Sequence, residues 1–232
     1  MKRSEINNIM REAIKFIKKQ NFFLPKFAYW TISDWKTKSE EINEIINNQL
    51  GWDITDFGSN DYYNNGLLMF TIRNGNFADK SEYAKSYCEK ILIVEEGQIT
   101  PMHHHFSKKE DIINRGGGIL QVKLYKSQEN DEFSKENFTI SIDGVRKIVN
   151  PGEIIELEPG DSIYLTPDIY HKFWAKKDYG KVLIGEVSTV NDDYVDNRFY
   201  EKLKRFSDII EDTEPLYLLY NDYSRYINLN NL

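Results

Sequence analysis

Residues 97–117 read GQITPMHHHFSKKEDIINRGG, and this stretch decides how the chain is read. Successive side chains of a β-strand point to opposite faces, so His103 and His105 share one face and His104 points to the other. Glu110 follows after a short turn, which lets its carboxylate swing back to the same point. Two imidazoles and a carboxylate converging there form three corners of a site for a divalent cation. The fourth corner is expected downstream, where EPGDSIYLTPDIYHKFW carries His171. The chain has four histidines, all within these two segments, a concentration that scattered structural histidines do not give. A triple histidine can be a surface tract, and a lone late histidine is more often structural than ligating. Here the triple is internal and flanked by strand and turn residues, which favours the metal reading for all but His104.

Composition sets the outer bounds. At 232 residues the chain fits one domain with elaborations and is large enough for a real core. A net charge of -7 disfavours nucleic acid, which needs a concentrated basic surface. The single cysteine, Cys88, excludes internal disulfides, suits a reducing cytoplasm, and reads as a small buried hydrophobe. The N-terminal MKRSEINNIMREAIKFIKKQ has no signal-peptide core; Ile6, Ile9, Met10, Ala13, Ile14 and Ile17 instead form one buried helical stripe. No later stretch has the length to span a membrane. A soluble cytoplasmic protein is the expectation.

A second helix is predicted from Ser39 to about Leu50, with Gly51 as its stop. Asn65-Gly66 and Asn74-Gly75 bracket LLMFTIR as tight turns around a strand. Strand texture continues through KILIVEE, GGILQVKLYKS, FTISIDGV, EIIELEPGDSIYL and KVLIGEVS. A last helix is predicted over Arg198–Ile210 and a final strand over LYLLY. The sum is a single, mainly β barrel domain: an N-terminal helical and hairpin extension (1–84), a metal-binding core (85–190) and a C-terminal segment with a helix (191–232). Aromatics make up 14% of the chain and crowd into FFLPKFAYW, TISDWK and DYYNNG. Packing against the barrel or a subunit partner is favoured over a sugar-stacking platform.

Gly97, His103-x-His105, Glu110 and Gly117, with Gly160 and His171 downstream, resemble the two signature motifs of the cupin superfamily. The first motif matches at every spaced position. In the second, Pro167 sits one place late and Asp168 replaces the usual second glycine, so the loop before His171 is expected to differ. A cupin (jelly-roll) barrel would set the two motif strands side by side. Further, MKRSEIN, LGWDITDFG, LLMFTIRNG, TPMHHHFSKKEDIINRGGG, PDIYHKFW and GEVSTVNDDYVDN resemble the bacterial D-lyxose isomerase family over nearly the full length. That resemblance implies reversible conversion of D-lyxose to D-xylulose and of D-mannose to D-fructose, a manganese preference, and a homodimer. It also carries the metal ligands onto His103, His105, Glu110 and His171.

Three imidazoles and a carboxylate satisfy Mn, Fe, Co, Ni or Zn and leave two adjacent positions of an octahedral ion open. An open-chain aldose chelating through two oxygens suits such a site, and so does dioxygen. The isomerase reading therefore competes with an iron-dependent cupin dioxygenase and with a metal-bound sugar-sensing cupin that has no turnover. Isomerisation requires a side chain to move a proton. Lys108, between the second and third ligands, is one candidate, with a pKa expected to be lowered by the cation. Glu186, a carboxylate inside the apolar run VLIGEVS, is the other. Lys90, Arg115 in the NRGGG turn, and Asp193 are candidate sugar contacts; the bland readings are an exposed edge for Lys90 and a solvated acidic pair for Asp192-Asp193.

Overall fold

The computed structural model describes residues 1–227; of the expected C-terminal segment, 228–232 lie outside the described residues. Helix α1 (Arg3–Lys19) comes first, followed by the short α2 (Ile32–Trp35) and α3 (Asn43–Asn47). The strands are β1 (Gly51–Thr55), β2 (Leu67–Arg73), β3 (Tyr87–Val94), β4 (Thr100–His105), β5 (Glu110–Gly117) and β6 (Leu120–Lys126). They continue as β7 (Phe138–Ile142), β8 (Val145–Val149), β9 (Ile154–Leu157), β10 (Ser162–Leu165) and β11 (Ile169–Ala175). Then come β12 (Val182–Thr189), β13 (Asn197–Phe199) and the terminal turn α4 (Tyr223–Tyr226). An eight-stranded sheet runs β1-β2-β3-β12-β5-β10-β7-β8, and a five-stranded sheet runs β13-β4-β11-β6-β9. Every pairing between these strands is antiparallel, which gives the double-sheet barrel that the cupin resemblance implied.

The apolar runs of β2 and β3 follow from burial on both faces. Met69, Leu92, Val94 and, on β12, Val182 and Ile184 point between the sheets, where they meet Val122 and Leu124 of β6. Their alternate neighbours Leu68, Phe70, Ile91 and Ile93 point outward, where α1 covers them with Ile6, Met10 and Ile17. The stripe predicted for α1 is therefore its contact face, with Ile14 only partly buried. Several of the crowded aromatics pack within the chain, with Phe27 and Trp52 against Phe70 and Trp35 against Trp30 and Tyr223, while Phe23 and Tyr63 stay exposed.

Four local expectations are corrected. The helix over 39–50 shrinks to a 3-10 turn (Glu40–Ile42) and α3; Gln49 takes a left-handed φ of 57°, which ends the helix, and Gly51 opens β1. Asn65-Gly66 and Asn74-Gly75 flank β2 but are not hairpin turns, because none of the four has the positive φ such turns need. Asn74 instead donates its side-chain amide to the carbonyls of Asn48 and Asn191. A two-residue turn of that kind does close β7–β8, where Asp143 and Gly144 have φ of 50° and 81°. Arg198–Ile210 is no helix: it begins as β13 and continues as an irregular strap. LYLLY forms a single bridge, Leu219 to Trp52, rather than a strand.

The strap and the residues after it are fastened to α1 by Arg3. This side chain is fully buried; its guanidinium donates to both carboxylate oxygens of Glu211 and of Asp222 at 2.8–2.9 Å. Arg3→Met should lower the free energy of unfolding by ~3–5 kcal/mol, because it strands the buried Asp222 carboxylate. Urea titration measures this; a loss below ~1 kcal/mol would mean that water replaces the guanidinium without cost.

Candidate active site

Strand pairing assembles the site. β11 lies antiparallel to β4 with His171 directly opposite His103. A bulge follows, so that Phe173 pairs with Thr100, and the extra residue turns Thr100 and His103 both inward. His105 shares that inward face, and ligand nitrogens of His103, His105 and His171 lie within 4.8 Å of one another. Glu110, the first residue of β5, brings Oε1 to 3.3 Å from His105 Nε2 and 3.2 Å from His171 Nε2. His104 turns to the outer face, where its Nδ1 meets the Pro167 carbonyl at 2.8 Å in the loop whose motif departs from the usual pattern.

The donor set fits a divalent cation. His103, His105 and His171 each direct Nδ1 at a backbone carbonyl, of Pro101 (2.7 Å), Asp196 (3.2 Å) and Ile169 (3.1 Å). Those bonds place the proton on Nδ1 and leave the Nε2 lone pair for a metal, the usual second-layer arrangement of ligating histidines. His105 Nε2 and Glu110 Oε1 are buried polar atoms with no hydrogen-bond partner. Burial, reinforced by the neighbouring imidazoles, holds the His103 pKa well below the usual range, and burial pushes His171 down to about 4. Both are therefore neutral, as ligands must be.

From Glu110 a line of ion pairs of alternating sign crosses the cavity. Lys108 Nζ lies 2.7 Å from Glu110 Oε2 and 2.9 Å from Glu186 Oε1. Lys90 Nζ is 3.7 Å from the same Glu186 oxygen and 3.1 Å from Asp193 Oδ2. Arg205 Nη2 then joins Asp193 Oδ2 (3.3 Å) to Asp53 Oδ2 (2.6 Å). Register explains why Lys90 and Glu186 take part: they are cross-strand partners on β3 and β12, on the face that carries Leu92 and Ile184 into the barrel.

Burial alone would raise the Glu110 and Asp193 pKa values. Lys108 and His105 hold Glu110 well below the carboxylate range, and Lys90 and Arg205 do the same for Asp193. Burial would lower Lys108, yet Glu110 and Glu186 keep its ammonium above the usual lysine range. At the far end burial wins and the Asp53 pKa is raised. Phe57, Met69, Leu92 and Phe199 close the apolar side of a small cavity of about 40 Å³.

Eight sequence candidates thus meet around one cavity: His103, His105, Glu110, His171, Lys108, Glu186, Lys90 and Asp193. Lys90 is on an interior strand rather than an exposed edge, and Asp193 is buried rather than solvated. Arg115 is not brought in. It is an exposed residue of β5, not of a turn, and its side chain lies over Gly185 on the outer face. Sequence reasoning missed Arg205, Asn197 and Phe199, which line the cavity, and Asp53, which pairs with Arg205. Asp53 was findable, since it interrupts the apolar GWDIT just as Glu186 interrupts its own strand. Arg205 had no signal, because it belongs to the strap read as a helix.

A family model described as D-lyxose isomerase matches residues 1–223. A D-lyxose/D-mannose isomerase of Serratia proteamaculans is 45% identical over 228 residues, covering 98% of this chain and 100% of that protein. One of Escherichia coli O157:H7 is 43% identical over 227 residues, 97% of this chain and 100% of that protein. Among solved structures, the L-ribose isomerase of Cellulomonas parahominis with L-ribose aligns at 16% identity and a TM-score of 0.59. It covers 90% of this chain and 98% of its own, which is a likeness of fold. The match runs through both histidine strands and on through the strap that carries Arg205, so this chain belongs to the D-lyxose isomerase family.

Proposed function

We propose that this chain is a metal-dependent aldose–ketose isomerase that interconverts D-lyxose with D-xylulose and D-mannose with D-fructose. The observation that carries the reading is the contact of the histidine cluster with a buried acid–base line, since Glu110 touches His105 and His171 on one side and Lys108 on the other. His103, His105, Glu110 and His171 would hold the cation, with Mn2+ proposed over Co2+, Fe2+, Ni2+ or Zn2+ on family resemblance. When bound, such a cation supplies Lewis acidity that stabilises negative charge developing on the sugar oxygens.

The remaining work belongs to the side chains. Both lysines contact Glu186 through Oε1, so Oε2 is the atom assigned to take the proton from C2 of the open-chain aldose. The C–H electron pair becomes the C1–C2 double bond of an enediol, and the carbonyl pair moves to O1. Lys108 relays the hydroxyl proton from O2 to O1, and Glu186 returns the carbon-bound proton to C1. C2–H and O2–H are lost, C1–H and O1–H are gained, and no oxidant is needed. Lys90, Asp193 and Arg205 are proposed to hold sugar hydroxyls; Arg205 Nη1, buried and without a partner, is a donor available for one. The oxygenase and sensing readings have no comparable support in the family match. No helix among the described residues is long and apolar enough to cross a membrane. A cytoplasmic location, from the single cysteine, and a homodimer, from family resemblance, are part of the proposal.

Metal-stripped protein given Mn2+ should convert D-lyxose or D-mannose to the ketose, and failure on every pentose and hexose aldose would end the reading. His103→Ala and His171→Ala should each abolish metal retention and turnover while circular dichroism still reports a folded barrel.

Glu186→Gln and Lys108→Met should lower kcat by ~10²–10⁴-fold at unchanged metal content, the usual loss for a general acid or base. Turnover in D2O should place deuterium on the product carbon; its complete absence in a single turnover would assign a hydride shift and remove both roles.

The metal-free protein should also lose stability as pH falls from about 6.5 to 4. Unfolded imidazoles take up protons there, while folded His103 and His171 do not. Below that window the depressed Glu110 and Asp193 carboxylates extend the loss. Equal denaturation midpoints at pH 7 and pH 5 would contradict this.

A further inference from the structure

One buried residue outside the ion-pair line gathers the groups that both halves of the site depend on. The loop from His105 to Glu110 leaves strand β4 and must return its carboxylate to the histidines. Its backbone N–H groups have no strand partner there. Asp196, only 4% exposed, receives them. Its carboxylate accepts from Ser107 N and Ser107 Oγ at Oδ1 (2.9 Å each) and from Lys108 N at Oδ2 (3.0 Å). Its carbonyl accepts from Phe106 N at 3.2 Å and faces His105 Nδ1 at 3.2 Å. Asp196 also closes a turn of its own by donating its N–H to Asp192 O, and Asn197 beside it donates to Asp193 O at 3.0 Å.

We infer that Asp196 is a positioning residue, which clamps the loop carrying His105, Lys108 and Glu110 to the turn carrying Asp193 and Asn197. The inference rests on the isomerase reading for the meaning of turnover, though not for its effect on the metal. An imidazole whose outer nitrogen is fixed by a carbonyl, and a lysine whose backbone is fixed by a carboxylate, lose rotational freedom before any sugar enters. Because the clamp touches neither sugar nor cation, it acts on the rate through the geometry of the groups it holds. Asp196→Asn conserves size but turns one oxygen into an N–H2 group facing the Lys108 or Ser107 N–H. A buried donor is then set against a donor.

The test compares wild type, Asp196→Asn and Ser107→Ala, with Asp143→Asn as control. Asp143 caps Ser162 N and Oγ in the same chemical way, but far from the cavity. Each protein is loaded with Mn2+ for kinetics on D-lyxose and with Co2+ for visible absorption. Expected for Asp196→Asn is a kcat lowered by roughly 10–100-fold, with KM nearly unchanged and the Co2+ bands shifted. Ser107→Ala should lose less, and Asp143→Asn should match wild type in both readouts. Wild-type kcat and bands in Asp196→Asn would overturn the inference, as would a change that Asp143→Asn shares. If Asp196→Asn does not fold, Ser107→Ala decides by the same two readouts. If wild type turns over no aldose, the isomerase reading fails, and the Co2+ bands alone decide the clamp. A wild type that binds no Co2+ leaves nothing to position and overturns it.

Discussion

Seven ionisable side chains share one low-dielectric interior, and their order across it is Glu110, Lys108, Glu186, Lys90, Asp193, Arg205, Asp53. Isolated buried charges cost several kcal/mol each, and only close pairing with the opposite sign offsets that cost. Alternation gives every interior member two counter-ions. The two ends have one each, and they resolve the shortfall differently. At Asp53 burial raises the pKa, which favours the uncharged acid. At Glu110 the carboxylate stays ionised beside the neutral imidazoles of His103 and His171. With Asp53 shifted toward the uncharged acid, three carboxylates are set against three cations, and it is the Glu110 end that lies among imidazole nitrogens.

These charges arrive from six separate places in the chain, which explains the form of the fold around them. β1 supplies Asp53, β3 supplies Lys90, the loop running into β5 supplies Lys108 and Glu110, and β12 supplies Glu186. The turn before β13 supplies Asp193, and the strap supplies Arg205. Strands β1 and β2 therefore belong to the wall of the site rather than to an ornament outside it. α1 covers the apolar face that those added strands turn outward.

Much of this was legible because strand alternation is a local rule. The face shared by His103 and His105, the outward turn of His104, and the intrusion of Glu186 into an apolar run all depend on residues next to one another. The same rule placed Lys90 correctly on its strand and failed on its neighbours, since an edge and an interior strand carry the same local pattern. The strap failed for a related reason. Phe199, Leu203, Phe206 and Ile210 are spaced as one helical face would be, but they do not share a surface. Phe199 packs on Phe57 and His103, Leu203 on the barrel core, and Phe206 on Tyr194 and Tyr220, while Ile210 stays exposed and bridges to Lys2. Periodicity reports how apolar residues are spaced, and four different destinations can produce the spacing of one.

The strap has a kinetic meaning as well. Arg205 reaches the cavity only when the strap lies across β1, where Thr55 Oγ1 donates to the Arg205 carbonyl at 2.8 Å. The residues just beyond it are held by Arg3, at the opposite end of the chain. Contacts between residues so far apart in sequence carry the largest loop-closure cost and form late. A barrel with both motif strands already paired would still have Asp193 and Asp53 facing each other without the guanidinium between them. Completion of the cavity and the joining of the two ends of the chain are then one event, so a molecule caught before it would have its histidine strands paired around an unfinished cavity.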